Sequence, residues 1–395
     1  LLLAAAAGAP RAEGAQRAEG AKRAEGAQRA EDAWAAAQYW LGYFANLAGD
    51  FLGALKHYAL AITAVADDPR SPVLADATSG RANCLLNLRR NAEAAEEAER
   101  ALDLARDIGY PAGEARALLT LSIAAQYAGD EPKALDWARQ ATRIDPRAIP
   151  GRLARQCNDS LADILVDVGD LAAAEDTCVT ELDRARQAGD LISQSFCLDL
   201  LAELDQRAGR IPEAGAHLRE SLEIATRIGN RLRLIDCLNN CGHLCAATGR
   251  PADAVTIWAA FVTCLKEIGM SDLPAAEERR REPLRAAQQA LGPGRTDAAE
   301  KRGREMTLAT AAELATLLAG TDAQAPEVVP DLGKLGAKER ELVTLVAQGR
   351  TDAEIAGQLH LSVRTVRSRV DRIRAQAGCP RRADLIRLAL QAGLV

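Results

Sequence analysis

Rings are scarce in this chain. Across 395 residues there are four Trp, five Tyr, four Phe, two Met and four His. Any core must therefore be built from Leu, Ala, Val and Ile, and a catalytic centre that needs several imidazoles has little to draw on. His57, His217, His243 and His360 stand apart from one another in sequence, and each reads as an ordinary polar residue. G-x-x-x-x-G-K-[ST], G-x-G-x-x-G and H-E-x-x-H are all absent, and the lone Gly333-Lys334 is followed by Leu335. These gaps leave no motif for phosphate cradling or zinc hydrolysis, and no enzyme activity, metal or cofactor is expected.

The nine cysteines contain no C-x-x-C. An odd count in a long chain argues against a disulfide framework and fits a reducing, cytoplasmic setting. No apolar run approaches the ~18 residues a membrane helix needs. The opening LLLAAAAGA resembles the apolar centre of a signal peptide, but it lacks a preceding basic segment and an initiator Met. It reads better as the end of a helix that began earlier.

Charge is unevenly spread. The formal net charge is −6, yet residues 333–395 hold 12 Lys/Arg against 6 Asp/Glu, which leaves the rest of the chain at −12. A basic end on an acidic body points to a nucleic-acid partner. The 42 Arg against 7 Lys, with abundant Ala, suggest a GC-rich coding sequence.

Residues 1–33 are low in complexity. A six-residue unit, RAEGAQ and its variants, repeats from Arg11. Successive units are rotated by about 240° on a helix, so charge is spread around every side and no apolar stripe forms. A solvated helix or a tether is expected, with no function assigned.

From residue 34 a longer period takes over. Gly49, Gly129, Gly169, Gly209 and Gly249 mark a 40-residue repeat, with Arg89 in the vacant place. Five residues later stand Ala54, Ala94, Ala134, Ala174, Ala214 and Ala254, and Gly109, Gly189, Gly229 and Gly269 fall twenty after the mark. Such self-similarity signals a solenoid of helix pairs. The marking glycine ends one helix, a short GD or GR turn follows, and the small alanine lets the next helix approach closely. AGDFLGALKHYALAI and AGDEPKALDWARQAT resemble tetratricopeptide-type helix pairs with longer helices. Six pairs are expected over 34–270 and an atypical seventh over 271–319, turning at Gly292-Pro293-Gly294. Arg279, Arg280 and Arg281 read as a solvated face. Residues 320–332, Pro-bearing and unpatterned, read as a linker. Cys237, Cys241 and Cys245 share a helix face and could hold a soft metal. Cys157, Cys197 and Cys237, however, continue a column begun by Ala37, Ala77 and Ala117, so small buried residues at a tight crossing are the simpler reading.

Residues 333–395 open with three helices. Leu342, Val343, Leu345 and Val346 line the first, Ile355, Ala356 and Leu359 the second. Ser362 caps the third, in which Val363, Val366, Val370 and Ile373 form the inward side. Five arginines, Arg364, Arg367, Arg369, Arg372 and Arg374, crowd that helix; Arg364, Ser368 and Asp371 project outward and Arg367 and Arg372 flank them. A short helix, a tight turn and a basic second helix make the helix-turn-helix plan.

LGAKERELVTLVAQG, TDAEIA, LSVRTVRSRV and ALQAGLV resemble, at family spacing, the C-terminal DNA-binding domain of LuxR-family transcriptional regulators. The resemblance implies an all-α chain: a tetratricopeptide-like solenoid followed by a four-helix LuxR-type helix-turn-helix domain. It implies that Arg367, Ser368 and Asp371 face bases, that Ser362, Thr365 and Arg372 lie near phosphates, and that Arg364 joins the DNA-binding set. Arg369 and Asp371 depart from common family residues; Asp371 can accept from a cytosine amino group or pair with Arg367. A fourth helix near 382–391, with Leu385, Leu388 and Ala389 along one side, is implied to pair two subunits. Double-stranded DNA is thus the implied partner of a cytoplasmic bacterial homodimer, nucleoid-associated when bound. A protein or small-molecule inducer in the repeat groove and RNA polymerase are further candidates, and no membrane is involved. The layout also resembles the C-terminal half of large LuxR-type regulators that carry an NTPase module, which suggests a fragment of an ATP-switched protein. A protein-interaction scaffold localised by its DNA-binding domain is the alternative.

Overall fold

The computed structural model describes residues 30–270, 272, 274–320, 335–348, 350–376, 385, 386 and 389. Residues 1–29 of the low-complexity stretch, and all of the expected linker except Gly320, lie outside these. Every regular element among the described residues is a helix. The chain divides into two compact units, residues 1–157 and 158–395.

The first unit contains α1 (30–47), α2 (Phe51–Ala64), α3 (Pro72–Asn87), α4 (Asn91–Asp107), α5 (Pro111–Tyr127) and α6 (Glu131–Arg143). Helix α7 (Gly151–Asp167) spans the boundary. The repeats of the second unit are α8 (Leu171–Ala188), α9 (Leu191–Arg207), α10 (Ile211–Ile228), α11 (Arg231–Ala247) and α12 (Pro251–Glu267). From α2 to α6 in the first unit and from α8 to α12 in the second, each helix packs on the next, and α3 also meets α5, as α9 meets α11. Contact with the next helix and the next but one is the stacking of a solenoid, which buries a stripe that no single pair can cover.

The turns follow from two residues. Gly129 takes φ +73°, its N–H returns to the Gln126 carbonyl at 3.0 Å, and the Asp130 N–H reaches the Ala125 carbonyl at 2.9 Å. This left-handed closure satisfies the last carbonyls of α5. Asp130 then caps α6 by accepting the Lys133 N–H at 3.3 Å, as Asp50 and Asp170 do for α2 and α8. Such a cap contributes about 1 kcal/mol. Arg89, in the glycine column, adopts φ +63° regardless, and its guanidinium sits 4.2 Å over the Tyr127 ring.

All six column alanines, Ala54 to Ala254, are fully buried. So are Ala77, Ala117, Cys157, Cys197 and Cys237 in the second small-residue column, whereas Ala37 is exposed. Trp34, Trp40 and Phe44 on the same helix are exposed too. Burial pushes the Cys84 thiol up to about 12 and moves Cys197 and Cys237 in the same direction. Protonated thiols make poor metal ligands, and among the described residues no cluster of three or more His, Cys, Asp or Glu could hold an ion. No described helix is long and apolar enough to cross a membrane.

The segment expected as a seventh pair forms three helices, α13 (Pro274–Leu291), α14 (Pro293–Glu305) and α15 (Leu308–Ala319). Gly292 at φ +73° and Pro293 make the expected first turn. A second break follows at Met306, where Thr307 caps α15 by accepting the Thr310 N–H at 3.2 Å. Helix α14 lies on α12, and α15 turns back onto α10 and α11. A glycine on α10 permits this: a Cβ at Gly215 would sit 2.7 Å from the Ala319 carbonyl oxygen.

The arginine run is not a solvated face. Arg280 is buried, ion-paired with Asp272 at 2.6 Å and hydrogen-bonded to Asn239 Oδ1 at 3.1 Å. Arg279 pairs with Glu203, and Arg281 alone of the three is largely exposed. Three consecutive helical positions span about 200°, so a helix lying against a neighbour cannot keep all three in solvent.

Candidate nucleic-acid interface

The C-terminal domain is built by local signals. Helix α16 (Ala337–Ala347) begins where Glu339 reaches back to accept the Gly336 N–H at 3.1 Å. Helix α17 (Asp352–Gln358) starts with a capping box: Thr351 Oγ1 accepts the Glu354 N–H at 3.2 Å, and Glu354 accepts the Thr351 N–H at 2.8 Å. Those bonds to its charged form hold the Glu354 carboxyl below its ordinary value. Leu359 and His360 form the turn, with His360 at φ +53°. Ser362 Oγ accepts the Thr365 N–H at 3.1 Å and meets Thr365 Oγ1 at 2.8 Å, which starts α18 (Val363–Gln376).

Val366, Val370 and Ile373 of α18 bury against Leu342, Val343, Val346 and Ile355. Val363, expected inward, is 37% exposed. It sits in the first helical position beside the cap, before the helix has turned its apolar side to the core. Leu385, Ile386 and Ala389, the described residues of the fourth element, are fully buried in this same core. Leu385 and Ala389 therefore do not form a free pairing surface, because their side chains are enclosed in one core with those of α16, α17 and α18. Leu388 lies outside the described residues.

On the other side of α18, Arg364, Arg367, Ser368, Asp371 and Arg372 are all exposed, with Thr365 half-buried between them and the cap. Arg364 has no hydrogen-bond or ion-pair partner among the described residues. Arg367 Nε donates to Asp352 Oδ2 at 3.1 Å, and Arg372 Nη2 donates to Glu339 Oε1 at 3.0 Å. Asp371 accepts from Arg374 at 3.0 Å, not from Arg367. Arg374 is three residues on and less exposed, while Arg367 is drawn across to α17. Exposed pairs of this kind contribute only ~0–1 kcal/mol, so a phosphate or a base can displace them.

Nothing in sequence marked Asp352 or Glu339 as partners of these arginines, fifteen and thirty-three residues away. Their contacts exist only once three helices pack.

Residues 334–389 match the family model for bacterial regulatory proteins of the luxR family. The C-terminal domain is of the luxR family. Residues 73–147 and 194–257 match the tetratricopeptide repeat model. Response regulator Rre1 of Synechocystis sp. is 44% identical over 57 residues, which are 14% of this chain and 25% of that protein. This chain thus spans about a quarter of that relative. Two solved structures align with TM-scores of 0.46: a Rap protein complexed with competence and sporulation factor, and the Rap conjugation gene regulator of plasmid pLS20 with the Phr* peptide. Identities are 14% and 13%, over 64% and 65% of this chain and 74% and 76% of theirs.

The luxR-family domain is of a DNA-binding, regulatory type, and the repeats are of an interaction type. Neither family is enzymatic.

Proposed function

We propose that α18 enters the major groove of a specific operator and that the repeats hold a signal or partner that controls the outcome. The carrying observation is the exposed row Arg364, Arg367, Ser368, Asp371 and Arg372 over a buried Val366–Val370–Ile373 spine. Asp352 engages Arg367 through Nε, which leaves Nη1 and Nη2 for O6 and N7 of a guanine. Ser368 and Asp371 face neighbouring bases; Ser362, Thr365 and Arg372 lie at phosphates. The net +6 of residues 333–395 supports affinity through counterion release. Two copies bind half-sites about 10 bp apart, pairing through faces other than that of Leu385 and Ala389. The protein works in the bacterial cytoplasm, at the nucleoid when bound, with RNA polymerase as the downstream partner.

Competition binding with operator and random duplexes tests this. Arg367→Ala is expected to cost about 1–3 kcal/mol on the operator and little on random DNA. Arg372→Ala should weaken both and lower the slope of log affinity against log salt by about 1. Equal losses on both duplexes for Arg367→Ala would move base reading to Arg364, Ser368 or Asp371. A chain that ignores promoter DNA but captures a partner protein would support the scaffold reading instead.

A further inference from the structure

A cavity of about 590 Å³ opens in the second unit between the C-terminal ends of α9 and α11 and the side of α13. Its size is that of a small-molecule pocket. Its two ends differ in chemistry. One end carries Gln206, Arg207, His243 and Arg279. The other is walled by alanines, among them Ala246 and Ala247 of α11 and Ala290 of α13.

The space is a local departure from the repeat. Forty and eighty residues before Ala246 and Ala247 stand Gln206-Arg207 and Val166-Asp167. Two methyl groups thus replace long or branched side chains where other repeats fill the position. On the facing helix, Pro283 also lines the cavity and supplies no N–H, so the Arg279 carbonyl lacks the usual donor four residues on.

The polar end is under-satisfied. His243 is buried and its Nε2 has no hydrogen-bond partner, and neither has the buried Oε1 of Gln206. Unpaired buried polar atoms of this kind call for a partner that the protein does not supply. One carboxylate, Glu203, serves two guanidiniums: Arg207 at 2.7 Å and Arg279. Asp199 acts on Arg279 from farther off, with its carboxyl lifted to about 6 by burial. Burial, with Arg279, Arg280 and Arg207 nearby, pushes His243 down to about 2, so the ring is neutral and adds hydrogen bonding without charge.

We propose that this cavity binds a small amphipathic anion: a compact apolar body seated on the alanine wall, with one carboxylate or sulfonate directed to Arg207 and Arg279. Its role as the signal rests on the regulator reading above; the binding itself does not.

The full-length chain is titrated with 8-anilinonaphthalene-1-sulfonate and with N-phenyl-1-naphthylamine, which has the same rings without the sulfonate. The sulfonate dye is expected to bind one site, at least about tenfold tighter than the neutral dye. Ala247 and Ala290 are exposed at the cavity mouth. Ala247→Trp and Ala290→Trp should therefore keep the wild-type helical circular dichroism while each weakens the sulfonate dye by about tenfold or more. Arg207→Gln should weaken the sulfonate dye and leave the neutral one nearly unchanged. Unaltered sulfonate-dye affinity in both Trp variants would place the dye elsewhere, such as the exposed aromatic face of α1, and overturn the proposal. Equal affinity for the two dyes would overturn its anionic part. Promoter binding is measured on the same samples: its absence in the wild-type chain sinks the regulator reading, while the dye results still decide the cavity.

Discussion

Buried arginines of the helical array and exposed arginines of the luxR-family domain serve opposite ends. Beside exposed residues such as Arg281, the array tucks some guanidiniums in: Arg280 pairs with Asp272 over the Phe261 ring, and Arg116 meets Asp76 at 2.6 Å and the Tyr110 hydroxyl at 2.8 Å. In the C-terminal domain Arg367 and Arg372 hold their carboxylates from side chains that are 70% and 57% exposed. A buried pair is a structural joint, because losing one partner strands the other away from water. An exposed pair is a holding position that another anion can take. Burial, more than residue type, decides whether a positive charge belongs to the fold or to the partner.

Substitutions that remove one arginine from each region should separate the two uses. The largest effect is expected for Arg280→Ala, which removes the buried guanidinium that joins Asp272, Asn239 and the Phe261 ring and should cost about 3–5 kcal/mol in urea unfolding. A cost below about 1 kcal/mol would mean that the two regions do not differ as described.

Next in size is a pH effect confined to the repeats. Burial raises the Asp199 carboxyl from its ordinary 3.8 to about 6. The folded state therefore binds this proton more tightly than the unfolded chain. The protonated form carries its full stability below about pH 4, and that contribution is lost as pH rises through about 6. Asp199→Asn should stabilise the repeats by about 2–3 kcal/mol near pH 7.5 and change little near pH 4. Thermal melts across that range check it, and parallel curves for the two proteins would refute the assignment.

Arg372→Ala, on the exposed side of the comparison, should shift stability by less than ~1 kcal/mol while it weakens DNA binding. Circular dichroism melts of the variant used for the DNA assay supply the measurement.

The smallest effect is expected at Arg89, where a left-handed backbone costs about 1 kcal/mol for a non-glycine residue and the contact with Tyr127 returns a similar amount. Arg89→Gly relieves the first and loses the second, so it should be nearly neutral. Arg89→Ala keeps the strain without the ring contact and should cost about 1 kcal/mol.

Much of the architecture was legible because each repeat writes its own turn. A glycine at positive φ, in several repeats an Asp or Asn that caps the next helix, and an alanine at the crossing all act within a few residues of one another. The 40-residue period therefore predicts buried Ala54 through Ala254. The same holds in the luxR-family domain, where Thr351-x-x-Glu354 and Ser362 announce two helix starts. Where the period fades, after residue 270, Gly292-Pro293-Gly294 marks the first break and MTLATAAELATLL marks where a helix resumes, but no pattern announces α14 between them. The buried pairs of Arg279 and Arg280 were illegible for a related reason: in sequence they look the same as their exposed neighbour Arg281.

By itself, then, the sequence determined most of the helices, the period of their stacking and the arginine-rich α18 with its apolar spine. All of these depend on side chains within one or two turns of each other. Tertiary structure alone decided which carboxylate meets which arginine, that Leu385 and Ala389 serve the core of their own domain, and that a cavity opens beside His243. Those outcomes depend on contacts across tens of positions, such as the 41 between Arg280 and Asn239. No local pattern specifies such contacts, because they form only after helices distant in sequence have packed.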